Sequence, residues 1–425
     1  MKKVNIGIIG LGTIGSGVYK ILKQRRNRIR QLYKIDIQVL KCCDISDSTK
    51  RKLKIPSSNF TKDFKSIIQD ERIDTVIELI GGTSVAYLIS KEVLKSGKNL
   101  ITANKALLAK YGDTLESLAG KHKKNIGYEA SVGGGIPLIN TIENSLLINE
   151  INSFQGIMNG TCNYILSLMA NGTEFKDALK SAQDEGFAEA DPKLDINGQD
   201  TAHKVAVLCK TCFGLNINLK DVFTAGIEKI TSYDLECASN LGYKIKLLGI
   251  GRITNNYIDA RVHPTLIENN NPLANVDNEF NAILINSKNL GPVMNYGYGA
   301  GMLPTASAVV SDIIKISNSN LELVINKKNT AKIHSMQRLE RKFYLRIDLE
   351  DKSGNLGKIT SMLGKSKISI EKIIQDNVRV SRKKVPVIIF IKKTKFQNIN
   401  RALEKIRKLK FVSGRPLLIP VEDIS

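Results

Sequence analysis

The sequence predicts an α/β protein in three parts: a doubly wound parallel sheet, an α+β domain and a C-terminal βαββαβ unit of ferredoxin-like plan. Three observations carry this. Residues 4–9 form a short apolar run, followed at once by Gly10-Leu11-Gly12-Thr13-Ile14-Gly15 and a helical pattern through Leu22. Strand-like and helix-like stretches then alternate to about Gly127, the rhythm of a parallel sheet with helices on both faces. Beyond residue 341 a fresh order begins: strand, helix, strand, strand, helix, strand. A chain of 425 residues exceeds one ordinary core and has room for all three parts.

In chain order, the second strand is expected at residues 37–43, ending at Asp44. The third is expected at 75–80, ending at Gly81-Gly82, and the next at 99–102, with helices around 62–69 and over 85–95. From about Gly127, longer strands, Gly-rich turns and a long helix indicate a second domain on its own sheet. Residues 300–316 read as a glycine-led helix that returns to the first domain, and the polar stretch 326–341 reads as a connector. The last unit is expected as strand 343–349, helix 356–363, strands around Ile370 and over 387–391, helix 398–409 and strand 417–421.

Composition narrows the class. Hydrophobic content of 42% and charged content of 24% are those of ordinary globular proteins, which excludes a disordered or fibrous chain. No apolar run approaches the roughly 20 residues needed to span a bilayer, and Met1-Lys2-Lys3 leads into a strand, not a cleavable signal. A cytoplasmic enzyme with no membrane partner is expected. The six cysteines are scattered, as reduced thiols are, and Cys209-x-x-Cys212 on an apolar helix reads as packing, without the second pair that zinc would ask for. The net charge of +22 raises nucleic acid as a partner. Yet the densest run, residues 20–34, spaces Ile21, Leu22, Ile29 and Leu32 to bury one side, leaving a solvated basic helix face; no nucleic-acid partner is expected.

Each glycine of the turn has a physical reason: Gly10 makes the tight bend, Gly12 lets backbone approach a pyrophosphate, and Gly15 lets the helix pack close. With a strand before and a helix after, the turn reads as a Rossmann-type dinucleotide site. Asp44 stands where a carboxylate would hold a ribose 2′-hydroxyl, while Lys50, Arg51 and Lys52 follow closely, so NAD and NADP both stay open.

Three more segments carry chemistry. Thr102-Ala103-Asn104-Lys105-Ala106 places a lysine just past a strand end. Glu129 through Pro137 is a turn whose bare backbone either faces a ligand or serves as a structural loop. Gly186 through Asp191, then Asp195, Asp200 and Lys204, concentrate acids before and on a helix. Asp200 and Lys204 are four apart and share a helix face, which also suits a plain salt bridge. Oxidising an alcohol needs a proton acceptor as the hydride leaves, and an ammonium can serve only where burial and a second cation help it shed its proton. Lys105 is the candidate second cation.

At these residues the chain resembles the homoserine dehydrogenase family, nearly over its whole length. The resemblance rests on the glycine turn, residues 102–106, Tyr128-Glu129-Ala130 with 132–137, Gly156-Ile157-Met158-Asn159-Gly160-Thr161, 186–192, and Gly299-Ala300-Gly301 before 304–308. It implies that Lys204 handles the proton, that Lys105 touches nicotinamide and substrate, and that Asp200 and Asp195 orient Lys204 or the substrate amine. Glu189 would hold the homoserine ammonium, with Gly160 and Thr161 lining the same pocket. Cofactor contacts are implied at Gly10, Gly12, Thr13, Ile14, Gly15, Asp44, Gly81, Lys105, Gly186 and Gly301. A sodium ion is implied on the carbonyls of Val132, Gly134 and Ile136 beside Glu129.

The resemblance implies four regions: 1–128 dinucleotide-binding, with 300–318 returning to it; 129–325 catalytic and oligomerising; 326–341 a linker; and 342–425 a regulatory ACT domain. It further implies a homodimer or homotetramer of the stand-alone form, without an aspartokinase half, and an allosteric amino acid such as threonine. Two departures stand out. Phe187 replaces a tyrosine found in some members, and Ser353 and Asn355 replace the more usual proline and valine of the ACT turn. The expected reaction is the reversible NAD(P)-dependent interconversion of L-homoserine and L-aspartate 4-semialdehyde in threonine, methionine and isoleucine biosynthesis. The rivals are an amino-acid sensor without catalysis, against which Lys105, Glu189, Asp195, Asp200 and Lys204 all speak, and an aspartate semialdehyde dehydrogenase. The latter needs a nucleophilic cysteine with a histidine partner, and His203 lies on a later helix than Cys162.

Overall fold

A computed structural model describes residues 1–146, 148–254, 257–318, 332–375 and 384–422. They fall into two compact units: Met1–Ile151, His203–Leu219 and Ser287–Ala331 form the first, and Asn152–Ala202, Lys220–Asn286 and Lys332–Ser425 the second.

The first unit opens with β1 (Lys2–Ile9), α1 (Thr13–Tyr33), β2 (Ile35–Cys43), α2 (Asp47–Leu53), β3 (Phe60–Thr61) and α3 (Lys65–Ile68). It continues with β4 (Thr75–Glu78), α4 (Ser84–Lys95), β5 (Asn99–Thr102), α5 (Lys105–Lys121) and β6 (Ile126–Gly127). All six strands are parallel, in the order β3-β2-β1-β4-β5-β6. This is the doubly wound arrangement, whose order reverses between β1 and β4. Helices cover the sheet faces, so β4 and the second half of β1, Ile6 to Ile9, are buried. Helix α1 buries Val18, Leu22 and Ile29 and turns Lys23, Arg25 and Arg28 to solvent; its basic surface is a solvated face, with Arg26 paired to Asp36 at 2.8 Å.

The chain then forms α6 (Leu138–Asn140), β7 (Ile151–Ile157), α7 (Gly160–Ala170), α8 (Phe175–Asp184), α9 (Lys193–Ile196) and α10 (Gln199–Phe213). Next come β8 (Phe223–Thr224), α11 (Ser232–Asn240), β9 (Tyr243–Thr254), β10 (Tyr257–Glu268), β11 (Phe280–Ser287), β12 (Gly291–Tyr298) and α12 (Met302–Asn318). Helix α12 packs on α1: a Cβ on Gly17 would stand 2.9 Å from the Ala306 methyl, so the two helices touch nearly backbone to backbone. Ala306, Val309 and Ile313 join the core that holds Ile6, Ile8 and Val18.

The remaining elements are β13 (Lys332–Ile333), β14 (Glu340–Glu350), α13 (Asn355–Lys365), β15 (Ile370–Ile374), β16 (Lys384–Lys395), α14 (Phe396–Ile406) and β17 (Val412–Glu422). The stretch expected as a connector lies partly outside the described residues. From Lys332 it carries β13, parallel to β10, and one short helical turn at Met336–Arg338.

The second unit holds one mixed sheet, running β11-β7-β9-β10-β17-β14-β16-β15. Each neighbouring pair among its last four strands is antiparallel and, with α13 and α14, these strands follow the order β-α-β-β-α-β. Phe343, Leu345, Ile347 and Leu349 alternate along β14 into a core shared with Ile359, Leu363, Ile399 and Ile406. On the opposite face Tyr344 donates to Asp234 of α11 at 2.7 Å, and Arg346 also pairs with Asp234. Strand β17 is bonded to β14 on one side and pairs parallel with β10 on the other, Leu266 opposite Val421 and Ile267 opposite Glu422. Among the described residues no helix is long and apolar enough to cross a membrane.

Beside that seam lies a buried charge cluster. Arg261 donates to Asp259 at 2.8 Å, to Glu422 at 2.5 Å and to Nε2 of His263 at 3.0 Å. His263 is therefore neutral, with its Nδ1 hydrogen placed toward the Pro264 carbonyl at 2.8 Å. Burial, and next the Arg261 guanidinium, push its protonation down from the ordinary 6.5 to about 4. In the unfolded chain the ring takes up a proton near 6.5, so below that pH the unfolded state gains protons that the folded state refuses. The melting temperature is thus expected to drop as pH falls from 6.5 toward 4. His263→Gln should flatten that limb; an unchanged slope in the variant assigns the drop to other groups.

Candidate active site

The glycine turn closes on itself. Gly10 has φ +95°, and a Cβ there would lie 2.6 Å from the Leu79 carbonyl oxygen; a Cβ on Gly15 would lie 2.0 Å from the Gly10 carbonyl oxygen. Both positions are closed to other residues by the chain's own packing. At Gly12 a Cβ would meet nothing within 4 Å. Gly12 caps α1, so Thr13 and Ile14 begin a helix whose first N–H groups have no carbonyl within that helix. This is an open cradle at a helix N-terminus, which fits a dinucleotide pyrophosphate. Asp44, at the end of β2, accepts the Leu11 N–H at 2.7 Å and the Ser46 N–H at 2.8 Å. Its carboxylate thus fastens the turn, a use not foreseen from the strand-end position alone.

Beside the turn, the third strand is shorter than expected and stops at Glu78. The buried Glu78 carboxylate accepts the Ile80 N–H at 2.8 Å and the Thr102 hydroxyl at 2.7 Å, and Gly81 and Gly82 then take positive φ values. Thr102 Oγ1 in turn accepts the Asn104 N–H at 3.1 Å. Asn104 caps α5 by accepting the Leu107 N–H at 3.0 Å and donates to the Gly82 carbonyl at 2.5 Å. This chain of bonds sets Lys105 as the first residue of α5. A cation at a helix N-terminus opposes the macrodipole by about 0.3–1 kcal/mol.

In the second unit two of the sequence-predicted acids, Asp195 and Asp200, gather on the N-terminus of α7. Asn159 accepts the Cys162 N–H at 2.8 Å through Oδ1, while Nδ2 donates to Asp195 at 2.7 Å and to Asp200 at 2.9 Å. Thr161 donates to the Phe187 carbonyl at 2.5 Å, and the Cys162 thiol to the Asp195 carbonyl at 3.2 Å. A Cβ on Gly160 would fall 2.5 Å from the Glu279 carbonyl, so its bareness serves packing. Gly186, at φ +78°, ends α8, and the Phe187 N–H turns back to the Ala182 carbonyl at 2.8 Å. The Phe187 ring lies 4.9 Å from that of Tyr164. The Glu189 side chain is exposed, outside the Asn159 cluster. Lys204, 8% exposed, sits on α10 one turn after Asp200. In the sequence Asn159 stands out only as part of a motif; that one amide would serve both acids is not legible in their spacing.

The turn after β6 uses its glycines internally. A Cβ on Gly134 would meet the Gly299 carbonyl at 2.4 Å, and one on Gly135 would meet Pro304 at 2.5 Å. Between the two alternatives for this turn, close packing on Gly299 and on Pro304 of α12 accounts for both glycines, and Gly301, at φ +115°, leads into that helix. Glu129 is buried and its oxygens accept the Ile139 and Asn140 N–H groups at 2.8 and 2.7 Å; its own N–H donates to Asp312 at 2.9 Å. Burial pushes both carboxyls up, against the pull of those backbone donors. Val132 and Ile136 are buried in the same turn, and the Ile136 carbonyl accepts the Leu138 N–H at 2.7 Å. Cys209 is buried, and burial pushes the Cys212 thiol up, as packing residues would have it.

A doubly wound sheet with an open glycine cradle at its switch point defines a Rossmann-type dinucleotide-binding oxidoreductase. Similarity to known proteins makes this particular. The family model described as homoserine dehydrogenase, NAD binding domain, matches residues 10–129, and that described as homoserine dehydrogenase matches residues 137–314. A homoserine dehydrogenase of Neisseria gonorrhoeae is 38% identical over 100% of both chains. The crystal structure of one from Thiobacillus denitrificans superposes with a TM-score of 0.92 at 36% identity, covering 100% of this chain and 99% of that one. A hyperthermophilic archaeal homoserine dehydrogenase mutant in complex with NADPH superposes at 0.65 and 25% identity, over 76% of this chain and 99% of that one. The chain belongs to the homoserine dehydrogenase family, and it is an NAD(P)-dependent oxidoreductase.

The two glycines separate binding from folding. Gly12→Ala is expected to melt as the parent does yet bind reduced dinucleotide at least about tenfold more weakly in a fluorescence titration, because the methyl fills the pyrophosphate approach. Gly15→Ala is expected to lose stability outright. Equal affinity in Gly12→Ala would show that the pyrophosphate sits elsewhere.

Proposed function

We propose that this chain oxidises L-homoserine to L-aspartate 4-semialdehyde, and runs the reverse reaction, in the biosynthesis of threonine, methionine and isoleucine in the cytoplasm. The observation that carries this is the buried Lys204, one turn from an Asp200 held in a tight amide bridge, in a member of this family with an open dinucleotide cradle. When bound, NAD or NADP supplies the hydride acceptor. Lys204 takes the proton of the alcohol, and Lys105 adds positive charge that favours its neutral form beforehand. Asp195 and Asp200 hold the substrate amine or Lys204 in line, Glu189 neutralises the ammonium, and Gly160 and Thr161 line the pocket.

Gly10, Gly12, Thr13, Ile14, Gly15, Asp44, Gly81, Gly186 and Gly301 are the proposed cofactor contacts. A sodium ion on the carbonyls of Val132, Gly134 and Ile136 beside Glu129 is supported by the all-oxygen chemistry of that donor set, which suits a hard cation.

The unit from residue 342 onward is proposed as an ACT domain that binds an amino acid such as threonine; its support is the β-α-β-β-α-β order and the strand order β17-β14-β16-β15. A homodimer or homotetramer is supported by β12, where exposed Met294, Tyr296 and Tyr298 alternate along one side.

The test is a spectrophotometric assay for reduced cofactor with homoserine and either dinucleotide, with and without threonine. Turnover is expected, and Lys204→Ala is expected to fall by about 10²–10⁴-fold while binding of reduced dinucleotide is kept. No reduced cofactor from the wild type with either dinucleotide would leave the chain a sensor and not an enzyme.

A further inference from the structure

We infer that Asn159 is a positioning residue of this reaction: its side-chain amide locks Asp195 and Asp200 into one geometry and thereby aligns the substrate amine and the base that follows on α10. The inference rests on the roles proposed above for those two acids.

An amide NH₂ has two hydrogens, and Asn159 spends one on Asp195 Oδ1 at 2.7 Å and the other on Asp200 Oδ2 at 2.9 Å. Two carboxylates drawn to one point repel each other, so the group between them must donate twice and carry no negative charge. Among short side chains asparagine does this while still offering an oxygen, and that oxygen caps α7 through the Cys162 N–H at 2.8 Å. The cap anchors the amide to a buried helix end, since Asn159 itself is 5% exposed. The backbone is held too: the Cys162 thiol donates to the Asp195 carbonyl, and a Cβ on Gly226 would stand 2.0 Å from the Ile196 carbonyl oxygen, so the segment bearing Asp195 is tightly packed. A fixed amide facing a fixed segment leaves the two carboxylates little freedom. Asp200 lies in the first turn of α10, so its direction is imposed at the N-terminal end of the helix that carries Lys204.

Capping and bridging can be told apart, because serine and aspartate cap helices about as well as asparagine but cannot make the double donation. Asn159→Ser and Asn159→Asp are expected to keep the α7 cap and to bind reduced dinucleotide as the wild type does, while melting somewhat below it because the two bridging bonds are lost. Turnover of homoserine should behave differently. Its kcat/KM is expected to fall about tenfold in Asn159→Ser and by more in Asn159→Asp, where a third negative group replaces the donor. The acid limb of the kcat/KM profile should move to higher pH in both, since fewer donors hold the carboxylates ionised. Wild-type kinetics and an unshifted profile in the stable serine variant would reduce Asn159 to a helix cap and overturn the inference alone. A wild type that turns over no homoserine overturns the proposed function and this inference with it.

Discussion

Parallel pairing of β1 with β2 on one side and β4 on the other is the constraint from which the first unit follows. Parallel neighbours cannot be joined by tight turns, so each connection must leave a strand's carboxyl end and cross back as a helix. The crossover from β1 to β2 runs one way across the sheet and that from β4 to β5 the other, which opens a crevice at the switch point. The glycine turn, Gly81-Gly82 and Lys105 all stand on that edge because each is the first chain segment beyond a strand end. What remains is to satisfy the backbone where the strands stop. A buried carboxylate, Glu78, does so after β4 and, through the Thr102 hydroxyl that accepts the Asn104 N–H, after β5, and Asp44 does so between β2 and the turn.

The second unit reaches order by a different means. Asp195 sits on the short α9 and Asp200 in the first turn of α10, where backbone bonds alone do not fix the two carboxylates. The N-terminus of α7 supplies the fixed point: Asn159, Thr161 and Cys162 each reach back to the segment that holds Phe187, Asp195 and Asp200. Side-chain bonds of this kind cost stability if one partner is lost, since the other is left buried and unmet. They also give a directional hold that hydrophobic packing does not.

Strand pairing also ties the C-terminal elements to the rest of that unit. Because β17 pairs with both β14 and β10, one sheet runs through the whole. The cluster of Arg261, Asp259, Glu422 and His263 lies along that seam, and the Arg261 pair holds the Glu422 carboxyl down at about 2 despite its burial. Removing one member would strand a buried charge, which is costly whatever the intact cluster contributes to stability.

Neighbouring residues dictate the strand-turn-helix of the dinucleotide cradle, the parallel sheet and the β-α-β-β-α-β order at the end. These depend on local periodicity and on glycines that only a tight bend requires, and both can be read along the chain. Lys105, Asp195, Asp200 and Lys204 are marked there too, through motifs shared with a family. Which partner each polar group finds is settled only when the chain has folded. Asp44 fastens the glycine turn, Gly134 and Gly135 make room for Gly299 and Pro304, and Asn159 bridges acids 36 and 41 positions away. The separation is physical: periodicity is set by the backbone within a few residues, whereas a hydrogen bond is set by where distant segments come to rest.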